Sequence, residues 1–262
     1  MNPIALPFSL EQVQLATLVL VRVGALLFTV PVLGANDVPL RAKAGLTLML
    51  TILLLPLVPM PAGLAQLSLV ALLPVMLHEI LIGVAIGLTA RFIFEGVQIG
   101  GQLVGFQMGF GIVNVFDPIT GANFSIIAQL QNLFATLLFL GLGVHHWFIR
   151  VMAASFDSMP LLQARLSPAG VQQLLDMSSD IFLIGIKIAA PIMTVLLATS
   201  LLMGIINKGA QGMNVMIVMF PLKIAIGLCA VGFGLPLFYY LLQRIFNQLG
   251  PAMFRLMELC HG

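Results

Sequence analysis

The stretch "GQLVGFQMGFGIVNVFDPITG", residues 101–121, decides how this chain folds, because its glycines disfavour the helix that the apolar residues around it favour. Six glycines lie between Gly96 and Gly111 in an otherwise strongly apolar sequence. Each glycine in a helix interior costs about 1 kcal/mol relative to alanine, so the run disfavours the long helix that the flanking residues favour. The glycines therefore serve either close contact between helices or a segment that is not helical.

The composition is that of a membrane protein. Of the 262 residues, 60% are hydrophobic and 8% are charged, and the mean hydropathy is +1.13. Soluble domains carry about 25% charged residues. A helix needs roughly 20 residues to cross a hydrocarbon core. Runs of at least this length without a charged residue cover 44–78, 96–116, 118–149, 188–207 and 224–243. The sequence predicts an all-α integral membrane protein.

Helix start and stop signals predict about six long, partly kinked helices. Ser9 with Gln12 forms a capping box, Asp37 and Pro39 open a second helix, and Ser167 caps the fifth. The expected helices cover about 9–29, 37–56, 66–104, 124–150, 168–207 and 213–246, with kinks or breaks expected at Pro191, Pro221 and Pro236.

Ordinary topology rules give no orientation for these helices. If the loops between successive helices alternate between the two sides of the membrane, four basic residues fall on each side. The positive-inside rule then assigns no orientation. The fifth helix would be roughly 58 Å long at 1.5 Å per residue, about twice the hydrocarbon thickness. Part of it must project, bend or break, and Pro191 is the expected place.

A polar stripe lies on the third predicted helix. Arg91, Glu95, Gln98 and Gln102 are spaced four, three and four residues apart, which places them on one face. Such groups are costly against lipid tails, so we expect them to face other subunits or a water-filled lumen. The alternative is an Arg91–Glu95 pair with both glutamines bonded to neighbouring helices.

Small residues on the same helix predict close packing. Glycines recur at four-residue intervals, a pattern that lets helices approach closely, at Gly83 and Gly87, at Gly96 and Gly100, and at Gly101, Gly105 and Gly109.

Other ionisable groups in apolar runs carry two interpretations each, a structural partner or a place in a transport pathway: Arg22, His78 with Glu79, Lys187 and Lys223. The "HHW" sequence at 145–147 is typical of an interfacial anchor. No nucleophile elbow, HExxH or phosphate-binding loop is present in the sequence, and no basic run indicates nucleic acid. We expect neither an enzyme nor a metal or cofactor site.

Two blocks of the sequence resemble flagellar biosynthetic protein R, a family of flagellar and type III secretion export-gate subunits. They are "GQLVGFQMGFGIVNVFDP" at 101–118, preceded by Glu95 and Gln98, and "LLMGIINKGAQGMNVMIVMFPLKIAIGL" at 201–228. The length and the order of apolar segments also agree. The chain departs from the family at Gln211, where members usually carry proline.

The resemblance implies a subunit of a protein channel. A single R subunit joins several copies of flagellar biosynthetic proteins P and Q in a funnel-like gate at the flagellar basal body, in the bacterial inner membrane. Residues of about 1–165 would form P-like hairpins and about 166–262 a Q-like hairpin. Other implied partners are the flagellar export switch protein B, export protein A, lipid and the unfolded flagellar proteins that are exported.

The resemblance also implies a plug that closes the lumen, here called the plug segment, residues 105–116. We expect its glycines to allow a compact non-helical loop and its apolar side chains to exclude water and ions. Its candidate residues are Gly105, Phe106, Gln107, Met108, Gly109, Phe110, Gly111, Ile112, Val113 and Phe116. A glycine-rich packing turn is the alternative.

The competing function is a secondary transporter or small-ion channel, in which the glycine segment would form a broken-helix site. That class lacks support from a clear inverted repeat, and the acidic residues are few and dispersed.

Overall fold

The computed structural model describes residues 9–34, 38–110, 125–162, 166–209 and 215–261. Within these ranges the chain is helical, with turns and two short 3-10 turns, and contains no strand. The helices are α1 (Leu10–Thr29), α2 (Leu40–Leu54), α3 (Leu69–Met108), α4 (Ile126–Gly141), α5 (His145–Ser158), α6 (Pro168–Gly209) and α7 (Val215–His261). The predicted all-α fold is confirmed.

The helices have the length and polarity of membrane spans. Five described helices are long and apolar enough to cross a membrane, and the α4–α5 pair makes a sixth if it is one span. The long α6 has 42 residues, which corresponds to about 63 Å at 1.5 Å per residue.

Two helix starts form as the sequence predicts. The Gln12 amide donates to Ser9 Oγ at 3.3 Å, and the Ser9 amide donates to Gln12 Oε1 at 3.0 Å, which completes a capping box. The Gly170 amide donates to Ser167 Oγ at 3.0 Å at the start of α6. Local side-chain bonds to free amides decide both starts.

Three boundaries differ from the prediction. The helix expected over 124–150 is interrupted, since α4 ends at Gly141 and Gly143 adopts φ 67° before α5. The second helix begins at Leu40, directly after Pro39, and Asp37 lies outside the described residues. The third helix continues to Met108, because its glycines meet close neighbours that offset their low helix propensity.

The last two helices differ from the prediction in separate ways. Of the three possibilities that the sequence left open for this helix, a break at Pro191 is wrong, because α6 is continuous through this residue. A bend there stays a prediction, and the length of 42 residues agrees with a helix that projects beyond the hydrocarbon core. The last helix continues past residue 246 to His261. Its extension has a helical apolar face, and the buried members are Leu249, Met253, Leu256 and Met257.

The chain forms two compact units. Unit 1 comprises Met1–Arg91, Gly143–Met177 and Gln248–Gly262, and unit 2 comprises Phe92–Leu142 and Ser178–Asn247. The core of unit 1 includes buried residues of α1, α3, α5 and α7. The core of unit 2 includes an apolar cluster from α3, α4, α6 and α7: Val104, Met108, Ile127, Ala189, Ile192, Leu196 and Val231. The division into P-like and Q-like parts is a separate prediction.

Candidate functional site

In unit 2, glycines of α3 bring its backbone against α6. A Cβ atom added at Gly96 would lie 2.8 Å from Ile184 Cγ2, and one at Gly100 would lie 3.0 Å from the carbonyl oxygen of Gly185. Gly185 is equally constrained, since its own Cβ would lie 3.1 Å from the Gly96 carbonyl oxygen. Both helices therefore need glycine at this crossing, and the predicted close packing is confirmed here.

The next glycines of α3 contact the start of α4. A Cβ at Gly101 would collide with the backbone of Ala128, and one at Gly105 would collide with the Ser125 side chain. Ser125 Oγ accepts from the Ala128 amide at 3.4 Å and donates to the Gly101 carbonyl oxygen at 3.4 Å. One hydroxyl thus caps α4 and ties it to α3.

The plug segment begins inside α3. Residues 105–108 are helical, so the expectation of a non-helical loop is wrong for them. Their helix persists because Gly105 fits against Ser125 and Met108, fully buried, belongs to the apolar cluster of unit 2.

The helix ends where the glycine pattern allows a left-handed residue. Gly109 has φ 98°, its amide donates to the Phe106 carbonyl oxygen at 3.0 Å, and the Phe110 amide donates to the Gly105 carbonyl oxygen at 3.1 Å. These bonds form a Schellman cap, which favours glycine at this position. Gly111, Ile112, Val113 and Phe116 lie outside the described residues.

Aromatic and sulfur groups surround this helix end. A Cβ at Gly109 would lie 2.9 Å from the ring of Phe220 on α7, and Phe110 packs against the apolar cluster. Met108 contacts Gly227 of α7, whose added Cβ would lie 2.7 Å from Met108 Cε. Phe106, in contrast, is 65% exposed. Within one turn, the chain places one large side chain in the core and another outside it.

The polar stripe lies on α3 as expected, with graded exposure. Arg91 is exposed, and Glu95, Gln98 and Gln102 are half-buried. All four therefore share one helix and keep some accessible surface. Their assignment to subunit contacts or a lumen stays a prediction.

Of the scattered ionisable residues, two meet inside unit 1. Arg22 of α1 and Glu79 of α3 form a buried ion pair. His78 is half-buried, with Nδ1 2.8 Å from the Pro74 carbonyl oxygen, while Lys187 is exposed and Lys223 is half-buried. The sequence offered only opposite charge in apolar surroundings as a signal for the pair, since 57 residues separate the partners.

The "HHW" sequence lies at the start of α5 in unit 1. The Trp147 ring lies over Gly250 of α7 and makes an edge contact with Phe254 at 6.5 Å between centroids. The Arg150 guanidinium lies 5.4 Å from the Trp147 ring, which is a cation–π contact. Trp147 thus joins α5 to α7, and its role at a membrane interface stays a prediction.

Comparison with known proteins agrees with the resemblance. Residues 13–249 match the family of bacterial export proteins, family 1. The chain is 31% identical over 230 residues to flagellar biosynthetic protein FliR of Escherichia coli strain K12, covering 88% of this chain and 87% of the relative. It is 32% identical over 228 residues to FliR of Pectobacterium carotovorum, with 87% of each covered, and 29% identical over 245 residues to FliR of Bacillus subtilis strain 168, with 92% and 94% covered.

This match decides between the function classes. It favours protein export over the transporter and ion-channel alternative, and it makes the chain an export protein and not an enzyme. Together with the span-like helices, it makes the chain a membrane-embedded component of the flagellar export apparatus. The chain belongs to the flagellar biosynthetic protein FliR family of bacterial export proteins.

Proposed function

We propose that the chain forms part of the channel of the flagellar type III export gate in the inner membrane, and that the plug segment closes this channel at rest. The observation that carries the proposal is the end of the closely packed part of α3 at Gly109. Up to this residue α3 is held by close backbone contacts, and beyond it the chain continues through a strongly apolar sequence.

The plug segment begins on a turn of α3 that is held in place by its neighbours. Gly101 and Gly105 contact α4, and Met108 is buried in the apolar cluster, so the last turn of α3 is held on two sides. The left-handed Gly109 then redirects the chain. A segment that leaves a fixed helix end can move without unfolding the helix that carries it, which a displaceable plug requires.

The composition of the segment suits a seal. Phe110, Ile112, Val113 and Phe116 are large and apolar, and residues 105–116 carry no charge. Hydrophobic constrictions exclude ions by keeping water out of a narrow passage. Phe106, which is exposed at the end of α3, adds a further apolar group on the accessible side of the helix.

Partner subunits complete the proposed channel. Flagellar biosynthetic proteins P and Q would assemble with one copy of this chain at the basal body, with residues of about 1–165 P-like and about 166–262 Q-like. Export switch protein B and export protein A would act at the same gate. Exposed apolar side chains on α6 and α7 support large contacts with subunits or lipid, among them Leu201, Leu202, Ile205, Phe233 and Tyr240.

Co-expression with the P and Q proteins tests the assembly. We expect the chain to purify as a complex with both and to be poorly stable alone, since its polar stripe and apolar surfaces need partners. A stable monomer that transports a small solute in liposomes would overturn the proposal.

Deletion of residues 111–116 tests the plug. This deletion keeps Met108 in the core and the Schellman cap at Gly109, so it spares the helix end. We expect the complex to assemble and to leak small ions in energised cells, measured as loss of the proton gradient. The control replaces the same six residues by glycine and serine, which keeps the length and removes the apolar side chains, and it should leak as well.

The outcomes separate the two interpretations. If both variants assemble and stay as ion-tight as the parent, the plug assignment is wrong. If both fail to assemble, the segment is a packing turn.

A further inference from the structure

Unit 1 contains a charged pair at the centre of its helix packing. Arg22 is fully buried and Glu79 is 1% exposed, and Arg22 Nε donates to Glu79 Oε2. The neighbouring positions of α1 are apolar and also buried: Leu18, Val19, Val23 and Leu26. A charge at such a position needs a specific reason, because burial disfavours it unless all its donors find acceptors.

The remaining donors of Arg22 hold the end of α5. Nη1 donates to the carbonyl oxygen of Ser155 at 2.9 Å and lies 3.3 Å from Ser155 Oγ, and Nη2 donates to the carbonyl oxygen of Met159 at 3.0 Å. The ring of Phe156 lies 4.5 Å from the guanidinium carbon. The Ser155 carbonyl oxygen also accepts from the Met159 amide at 2.9 Å, and Met159 is the C-cap of α5. A helix C-terminus attracts positive charge, so Arg22 adds a cap supplied by another helix.

Glycines on α3 make the direct pair possible. Gly83 lies one turn after Glu79, and an added Cβ there would contact the Arg22 carbonyl oxygen and lie 2.8 Å from Ala25 Cβ. One turn further, a Cβ at Gly87 would lie 2.6 Å from Thr29 Cβ. The side chain of Glu79 reaches Arg22 because the backbones of α1 and α3 approach each other this closely.

One oxygen atom of the pair has no partner within the part of the chain that the structure describes. Glu79 Oε1 is buried and has no hydrogen-bond partner among the described residues. Replacing a buried ion pair by apolar side chains of similar size is often neutral or stabilising, whereas removing one partner alone is strongly destabilising. A buried pair is therefore weak evidence for a role in stability, and the directed hydrogen bonds to α5 offer a positional role.

We propose that Arg22 and Glu79 are positioning residues for export, which hold the C-terminal end of α5 against α1 and α3 in the geometry that the working gate needs. The proposal rests on the export function of the family and does not depend on the plug. It concerns conformational specificity: the pair selects one position of α5 that an apolar contact would leave loosely defined.

A double substitution separates positioning from stability. In co-expression with the P and Q proteins, Arg22→Met alone leaves a buried carboxylate and should reduce the amount of assembled complex. Arg22→Met with Glu79→Leu should restore the amount of complex, because no unpaired charge stays buried, and export of a flagellar protein per assembled complex should stay below the parent.

Two further variants keep the test decisive if the double variant does not fold. Arg22→Lys keeps the charge but cannot bond Glu79 and both carbonyl groups with the planar fork of arginine, so we expect normal assembly and reduced export. Gly83→Ala should separate the backbones, lower stability through overpacking, and reduce export per assembled complex. Its control is Gly45→Ala on α2, where an added Cβ meets nothing within 4 Å and export should equal the parent.

A labelling measurement reports the position of α5 directly. In a background with Cys229 and Cys260 replaced by serine, a cysteine at buried Met159 should resist maleimide in the parent. The same cysteine should react in the assembled Arg22→Lys and double variants. The proposal is overturned if the double variant and Arg22→Lys both assemble and export like the parent, or if Met159→Cys stays protected in variants that lose export.

Discussion

Two stretches of one helix, α3, are packed by different means. In unit 1 the stretch with Glu79, Gly83 and Gly87 meets α1 around a buried ion pair. In unit 2 the stretch from Phe92 to Met108 meets its neighbours mainly through glycines and apolar side chains, together with the hydrogen bond from Ser125 Oγ to the Gly101 carbonyl oxygen.

The difference lies in how strictly each contact fixes position. Hydrogen bonds to a guanidinium have preferred distances and angles, so the contact in unit 1 specifies one arrangement. Apolar contacts are non-directional, so the contacts of α3 in unit 2 are fixed mainly by the shapes of the side chains. The plug segment starts from this second stretch.

Aromatic packing in unit 2 offers the largest expected effect. Phe139 is fully buried, with its ring centroid 5.8 Å from that of Phe94 and 5.7 Å from that of Phe246. Phe139→Ala should destabilise the protein by about 3–5 kcal/mol through lost burial and the cavity left behind. Thermal unfolding of the purified complex measures this change, with exposed Phe233→Ala as the control. Equal losses in both variants would contradict the apolar core described here.

The second-largest expected loss of stability is at the glycine contact between α3 and α4. Gly101→Ala forces a methyl group into the backbone of Ala128, and overpacking of this kind costs about 1–3 kcal/mol. Gly232→Ala on α7, where a Cβ meets nothing within 4 Å, should be neutral or slightly stabilising. Thermal unfolding in the same detergent compares the two. If Gly101→Ala were as stable as Gly232→Ala, the helices would not be held as closely as described.

The polar stripe should affect export while leaving insertion intact. Replacing both Gln98 and Gln102 by leucine makes α3 more apolar, so the membrane-inserted amount should equal the parent. Export or complex formation should fall if these amides face subunits or the lumen. Quantitative immunoblotting of membranes and of the secreted flagellar protein measures both, with exposed Gln248→Leu as the control. Unchanged export would indicate that the stripe is only tolerated.

Local signals explain what the sequence predicted well. The caps at Ser9 and Ser167 depend on residues within three positions, so their patterns can be read directly. The small-residue spacing predicted close contacts at Gly96 and Gly100, since a helix places residues four apart on one face.

Most of the remaining features depend on partners distant in the sequence. The continuation of α3 to Met108 follows from packing of Gly105 against Ser125, which propensity does not describe. The interruption before α5 is local instead, since Gly143 adopts φ 67° and an added Cβ there would meet His146, three residues on. The Arg22–Glu79 pair joins residues 57 positions apart. The sequence shows opposite charges in two apolar runs, but no local pattern predicts that Arg22 and Glu79 contact each other or that Arg22 also caps α5.

Photo-crosslinking at Phe106 tests most directly whether the exported protein passes this helix end. A photoreactive phenylalanine analogue replaces Phe106, which is exposed at the start of the plug segment, in cells where an exported flagellar protein is stalled by a folded fusion domain. The same analogue at Phe233, 88% exposed on α7, is the matched control. We predict a crosslink to the stalled protein from position 106 and none from position 233. Absence of that crosslink at position 106 in an assembled, export-competent complex would contradict the channel role.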